Sequence, residues 1–201
     1  MAIEAVIVDL GGVWLQDGDF AARQGWADRL GMTADELHRT YLEAIGPGWE
    51  GGRSEAEIHE RLRQACGIDE RDLPTLLDAL HAHETLDPEL SQFLGGLRPA
   101  LRVGVITNAG PSAREVLNRR FRLDERVDVL VVSAEEGVSK PDPAIYRAAA
   151  ERLRTAPERC VFVDDKDRNV EGARAVGMHG VLFTSSKRLI ADLDKILGPQ
   201  D

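Results

Sequence analysis

The chain is poor in cysteine and has no long apolar run. Only two of its 201 residues are cysteines, Cys66 and Cys160, and they lack the spacing of a CxxC pair or of a metal-ligand set. We therefore expect two reduced thiols in a cytoplasmic protein. No apolar run approaches the roughly 18 residues of a membrane span, and the first residues lack the basic region and cleavage site of a signal peptide. We expect no membrane association.

Basic residues are also scarce relative to acidic ones. Lys and Arg number 25 against 35 Asp and Glu, which gives a formal net charge of -10. Binding to a phosphate backbone needs a concentrated basic surface, so nucleic acid is not expected as a partner. Hydrophobic residues make up 43% of the chain and charged residues 30%, a composition typical of a globular protein with its own core.

Short apolar runs rich in β-branched residues recur along the chain and alternate with helical patterns. A run that is apolar on both faces is typical of a central strand in a covered, parallel sheet. Alternation of such runs with helices indicates βαβ units. The runs cover residues 5–8, 103–106, 127–132, 160–163 and 180–183. The predicted fold class is therefore α/β, with a doubly wound parallel sheet.

The stretch between residues 14 and 86 has a different texture. It contains no β-branched run and instead shows four helical patterns. Two of these begin with capping boxes, formed by Thr33 with Glu36 and by Ser54 with Glu57. We predict an α/β core made of residues 1–13 and 87–201, interrupted by an all-helical insert over residues 14–86.

Carboxylates follow two of the predicted strands. Asp9 ends the first strand and is followed by Gly11 and Gly12, where the backbone can approach a ligand closely. Asp9 is a candidate nucleophile or metal ligand, with a turn or cap residue as the alternative. Asp164 and Asp165 are adjacent like charges after a buried strand, and these are costly without a cation. They predict a hard divalent ion such as Mg²⁺, with a helix-capping acidic turn as the alternative.

Polar residues that suit an anion follow two other segments. Thr107 and Asn108 come after a strand and could hold phosphate oxygens, although turns often contain both residue types. Lys140 precedes a predicted helix and could neutralise a bound anion or a nearby carboxylate, although most lysines are simply solvated. Because open α/β sheets bind ligands at the carboxyl ends of their strands, we expect these groups to converge.

In order, these segments resemble the four motifs of the haloacid dehalogenase-like hydrolase superfamily. The segments are VIVDLGGV, VGVITNAG, GVSKPDPAIY and VFVDDKDRNVEGARAVGM. The helical insert falls where that superfamily carries a type 1 helical cap. The DLGGV and VDDxxxNVxxA forms look closest to the branch of sugar phosphatases and epoxide-hydrolase N-terminal phosphatases. The resemblance implies a Rossmann-like core with the cap over residues 14–86, and opening of this cap would control access to the site.

The resemblance also implies a role for each acidic residue. Asp9 would attack phosphorus and form an aspartyl-phosphate, which divides one difficult displacement into two easier ones. Mg²⁺ would be held by Asp9, by the backbone carbonyl of Gly11 and by Asp165. Asp165 is chosen because Asn169 follows four residues later, as in the family's spacing; Asp164 would then be the supporting carboxylate.

The remaining motif residues would bind the substrate. Thr107, the backbone of Asn108 and Gly11 would contact the transferred phosphoryl group, and Lys140 would neutralise charge between that group and Asp9. The implied reaction is hydrolysis of a small phosphorylated metabolite, with sugar phosphates suggested by the resemblance alone. Substrate specificity would reside in the cap, where Trp49 and Arg53 are candidates, together with Trp14 and Asp17.

One position departs from the family pattern. Most phosphatases of the superfamily carry a second Asp two residues after the nucleophile, and this chain has Gly11 there. A general acid/base contributes about 10²–10⁴-fold in rate, so a cap residue, water or an acidic leaving group would have to compensate. Two alternatives follow: a metal-independent 2-haloacid dehalogenase that uses the same Asp nucleophile, and a catalytically weak binding protein that keeps the fold.

Overall fold

The computed structural model describes residues 2–17, 21–46, 54–82 and 84–198. The chain divides into two compact units. The α/β unit comprises Met1–Gln16 and Leu86–Asp201, and the helical unit comprises Asp17–Thr85. In the part of the chain that is described, no helix combines the length and apolar character needed to cross a membrane.

A five-stranded parallel sheet forms the centre of the α/β unit. The strands of the structure are β1 (Ala5–Asp9), β2 (Leu15–Asp17), β3 (Glu84–Leu86), β4 (Arg102–Thr107), β5 (Val129–Val132), β6 (Cys160–Asp164) and β7 (His179–Leu182). The order in the large sheet is β5-β4-β1-β6-β7, while β2 pairs with β3. The predicted α/β class with a parallel sheet is confirmed.

Helices follow the strands of this sheet. In the α/β unit they are α5 (Pro88–Leu97), α6 (Ala113–Phe121), α7 (Leu123–Arg126), α8 (Ser133–Glu136), α9 (Pro143–Arg152), α10 (Asp167–Ala175) and α11 (Ser186–Leu197). Asp-Pro pairs start two of these helices: Asp87 caps α5 by accepting from the Leu90 N–H, and Asp142 caps α9 by accepting from the Ala144 N–H.

The central strand β1 is buried on both faces, which explains its continuous apolar run. Val6 and Val8 pack into one core cluster, and Ala5 and Ile7 pack into the cluster on the opposite face. This alternation places helices on both sides of the sheet. Because β4 and β6 flank β1 in parallel, the carboxyl ends of all three strands lie at one edge.

The helical unit contains α1 (Ala21–Leu30), α2 (Ala34–Ile45), α3 (Glu55–Cys66) and α4 (Leu73–His81). Both predicted capping boxes are present, at the starts of α2 and α3. The apolar sides of the helices form a core of their own. Its fully buried members include Ala27, Leu37, Leu62 and Leu76.

Candidate active site

Three charged side chains meet at the carboxyl edge of the sheet. Lys140 Nζ lies 2.6 Å from Asp9 Oδ1 and 2.7 Å from Asp164 Oδ2. Asp9 ends β1 and Asp164 ends β6, so the neighbouring strands bring the two carboxylates together. All three residues are buried, with exposed fractions of 5% for Asp9, 1% for Lys140 and 0% for Asp164. The ammonium therefore screens two carboxylates that water reaches poorly.

Asp164 is held rigidly by protein donors. Its Oδ1 accepts from the Lys166 N–H and from Asn169 Nδ2, both at 2.9 Å, and its Oδ2 accepts from Lys140. These bonds involve both oxygens of the buried carboxylate and leave it little capacity for a further ligand. Asp164 thus fits the role of a supporting residue.

Asp165 lies beside this pair and faces solvent. Oxygens of Asp9, Asp164 and Asp165 come within 4.8 Å of one another. Among the described residues Asp165 accepts no hydrogen bond, while Asp9 accepts from the Leu10 N–H and from Lys140, both through Oδ1. Carboxylate oxygens with free lone pairs are the ligands that a hard divalent cation prefers, so the donor set fits Mg²⁺.

Gly12 is required for this approach of the two acidic segments. Its φ of +79° lies in the left-handed region, and a Cβ there would come within 2.9 Å of Asp165 Oδ2. A side chain at position 12 would therefore strain the backbone and displace Asp165. Gly12 is the second glycine of the DLGGV motif.

Burial changes the acidity of the predicted nucleophile. Desolvation raises the pKa of Asp9 to about 6; the positive charge of Lys140 opposes this shift and the negative charge of Asp164 adds to it. Asp9 is consequently ionised at neutral pH, and it is easier to protonate than an exposed aspartate. A carboxylate in this state can act as a nucleophile.

A pocket opens over these groups within the α/β unit. The lining residues are Asp9, Gly11, Thr107, Asn108, Lys140, Lys166, Arg168 and Asn169. The pocket therefore gathers the predicted nucleophile, the predicted phosphate-binding residues and the predicted lysine. Asp164 and Asp165 belong to the adjoining acidic cluster.

Two cationic pocket residues, Lys166 and Arg168, were not predicted. Both are exposed, and neither forms an ion pair within the described part of the chain. Both lie in the segment VDDKDRN, where the aspartates are the more prominent feature of the sequence. Their alternation with Asp165 and Asp167 was the available signal.

Of the other pocket candidates from the sequence, only Trp14 has a described side chain. Trp14 is 1% exposed, packs in the core and donates its indole N–H to Ser91 Oγ at 2.8 Å; it does not line the described pocket. Trp49 and Arg53 lie outside the described residues, as does the side chain of Asp17.

Two neighbouring parallel strands thus end in carboxylates, with a buried lysine between them, on a Rossmann-like core. Residues 3–177 match the family of haloacid dehalogenase-like hydrolases. The chain belongs to this family.

Known proteins of this type resemble the chain over much of its length. A phosphoserine phosphatase of Thermus thermophilus is 31% identical over 78% of this chain and 66% of its own. Phosphatase MT3486 of Mycobacterium tuberculosis is 32% identical over 92% of this chain and 89% of its own. A haloacid dehalogenase family enzyme of Bacteroides thetaiotaomicron, solved with magnesium and inorganic phosphate, has the same fold, with a TM-score of 0.73, 18% identity, and coverage of 90% and 94%.

Proposed function

We propose that this hydrolase is a magnesium-dependent phosphatase that cleaves a small phosphate monoester through an aspartyl-phosphate on Asp9. The observation that carries the proposal is the position of Lys140, whose ammonium bridges Asp9 and Asp164 beneath the pocket. A phosphate dianion must approach a cluster of carboxylates, and a buried cation at that point reduces the repulsion. Both curated relatives described above are named as phosphatases.

The remaining pocket residues suit a phosphoryl group. Thr107 and the backbone of Asn108 offer hydrogen-bond donors, while Lys166 and Arg168 add positive charge at the mouth. Phosphoryl transfer depends on positioning and on stabilising charge over three oxygens. These donors and cations supply both.

Asp9 and Asp165 would hold Mg²⁺ together with the backbone carbonyl of Gly11. Asp164 would support them, since its oxygens already accept three hydrogen bonds from Lys140, Lys166 and Asn169. The cation, when bound, neutralises charge on the phosphoryl group. This support from Asp164 keeps Lys140 in place, and Lys140 in turn orients Asp9.

The proposed reaction has two displacements. The carboxylate of Asp9 attacks phosphorus, and the ester oxygen departs with its electron pair. Water then attacks the aspartyl-phosphate and releases inorganic phosphate. The helical unit, residues Asp17–Thr85, would act as the cap that controls access and selects the substrate, with sugar phosphates and phosphoserine as the first compounds to test.

Hydrolysis of p-nitrophenyl phosphate with Mg²⁺ and with EDTA tests this proposal. We expect turnover that needs the metal and that Asp9→Asn abolishes, while Asp194→Asn, an exposed carboxylate change on α11, retains it. Metal-independent chloride release from 2-chloropropionate would identify a dehalogenase instead. No turnover of either compound by folded protein would favour a binding protein.

Metal binding can be measured without turnover. We expect Mg²⁺ to raise the melting temperature of the wild-type protein, because an ion that binds only the folded state stabilises it. Asp165→Asn should reduce this shift strongly, and Asp194→Asn should leave it unchanged. An equal shift in wild type and Asp165→Asn would remove Asp165 from the proposed ligands.

A further inference from the structure

The pocket has room for a Cβ atom at position 11, where the chain has a glycine. Gly11 lines the pocket and is exposed. A Cβ added to it would meet no heavy atom of the described residues within 4 Å. The φ of Gly11 is not positive, so an L residue would fit there without backbone strain. The missing side chain is therefore not imposed by crowding or by conformation.

The other described pocket residues do not supply an acid suited to neutral pH. Asp9 is the proposed nucleophile, and Lys140 is committed to two carboxylates. Lys166 and Arg168 are exposed cations, suited to binding the anionic ester rather than to protonating its leaving oxygen. The neutral side chains that line the pocket, Thr107, Asn108 and Asn169, are poor proton donors. The leaving oxygen thus meets no described group that could protonate it readily.

We infer that this enzyme acts on phosphate monoesters with an acidic leaving group, whose oxygen departs as a stable anion without a proton from the protein. Aryl, enol and acyl phosphates form this class. The inference rests on the proposed phosphatase activity and narrows its substrates. Simple alkyl phosphates, which form a basic alkoxide, are expected to be poor substrates. Phosphoserine and sugars phosphorylated on a primary hydroxyl belong to this group, so their efficient hydrolysis would count against the inference.

The chemical step balances without an enzymic acid. The bond between Asp9 and phosphorus forms as the ester bond breaks, and the electron pair stays on the leaving oxygen. That oxygen takes a proton from solvent only if its own basicity requires one. In the second step the bond from water to phosphorus forms, the bond from Asp9 breaks, and the proton of water passes to solvent. Since no side chain at position 11 assists this step either, the phosphoenzyme should accumulate.

A series of substrates tests the leaving-group dependence on wild-type enzyme. The compounds are p-nitrophenyl phosphate, phenyl phosphate and ethyl phosphate, with Mg²⁺ present. We expect kcat/KM to fall steeply along the series, because it reports the step in which the leaving group departs. Rapid mixing with p-nitrophenyl phosphate should show a burst of about one equivalent of p-nitrophenolate per site. Similar kcat/KM for all three compounds would overturn the inference.

Restoring an acid at position 11 gives the matched test. Gly11→Asp should raise the ratio of kcat/KM for phenyl phosphate over p-nitrophenyl phosphate, by up to the ~10²–10⁴-fold that a positioned acid contributes. Gly11→Asn has nearly the same size without a carboxyl proton and should give no such gain. A folded Gly11→Asp that keeps the wild-type ratio would count against the inference.

Failure of the inference is distinguishable from failure of the proposed function. If the phosphatase proposal is wrong, none of the three esters is hydrolysed in an Asp9-dependent and metal-dependent manner. If only the inference is wrong, all three are hydrolysed at similar kcat/KM. Circular dichroism of both Gly11 variants checks that they fold, and the wild-type series does not depend on them.

Discussion

The side-chain amide of Asn108 pairs with the backbone of Lys140 through two hydrogen bonds. Asn108 Oδ1 accepts from the Lys140 N–H at 2.9 Å, and Asn108 Nδ2 donates to the Lys140 carbonyl at 3.0 Å. The end of β4 is thereby joined to the loop that carries the buried lysine. Asn108 is a positioning residue for Lys140 in addition to lining the pocket.

Loss of this amide should disturb Lys140 without removing it. Asn108→Ala deletes two hydrogen bonds, each contributing about 1 kcal/mol, and should lower the free energy of unfolding by about 2 kcal/mol. We expect kcat to fall more than KM rises, because the lysine acts on the reacting charges. Urea denaturation and steady-state kinetics measure the two effects. Asn118→Ala, which removes a side-chain amide of α6 and its hydrogen bonds with Asp124, should leave the kinetic constants unchanged.

Removal of Lys140 should destabilise the metal-free protein strongly. Lys140→Met leaves Asp9 and Asp164 buried without their cation, and breaking such a buried pair costs about 3–5 kcal/mol. Urea denaturation in EDTA measures the loss. The double variant with Asp164→Asn should recover part of it, since one of the two charges is gone. If the double variant is less stable than Lys140→Met, charge repulsion is not the cause.

Asp9 should make metal-free stability depend on pH. Its pKa is raised to about 6 from an ordinary value of 3.8, so the folded state binds the proton more tightly than the unfolded state. Wild type should therefore lose stability relative to Asp9→Asn as pH rises from 3.8 to about 6. Above that pH the difference in stability between the two proteins should stay constant. Melting temperatures in EDTA across this pH range measure the difference.

A second aspartate provides a control of opposite sign for that titration. Hydrogen bonding to Arg188 lowers the pKa of the partly exposed Asp192, so Asp192 contributes its stability at higher pH and loses it as pH falls. At neutral pH, wild type should therefore be more stable than Asp192→Asn. For Asp9, wild-type stability that rises relative to Asp9→Asn as pH increases would contradict the raised pKa.

The exposed cations Lys166 and Arg168 should contribute to anion binding. Lys166→Gln and Arg168→Gln should each raise the inhibition constant of inorganic phosphate several-fold, because an exposed charge interaction provides up to about 1 kcal/mol. The effect should shrink at high salt as screening increases. Lys187→Gln, on the exposed face of α11, is the matched control and should change nothing. If Lys166→Gln and Arg168→Gln have the same inhibition constant as Lys187→Gln, the two cations have no role in binding phosphate.

Much of the fold was predictable because its signals are local. The buried strands appear as apolar runs, and Asp87, Asp142, Thr33 and Ser54 mark helix starts by capping chemistry that acts within one turn. The paired strands β2 and β3 were missed, since each has three residues and lacks a β-branched run.

One predicted boundary was also displaced. The run at residues 127–132 becomes β5 only from Val129, because the Val127 N–H closes α7 by donating to the Leu123 carbonyl. This capping contact moved the start of the strand by two residues.

The sequence by itself determined the parallel α/β class, the helical character of the insert and most of the candidate site residues, because periodicity, caps and strand ends are features of short segments. Only the tertiary structure decided which oxygens remain available: it places Lys140 between Asp9 and Asp164, occupies Asp164 with three donors and leaves Asp165 open to solvent. It also showed that Gly11 has space around it while Gly12 has none. The contacts of Asp9 with Lys140 and of Gly12 with Asp165 join segments more than 100 residues apart, and no local pattern records such distances.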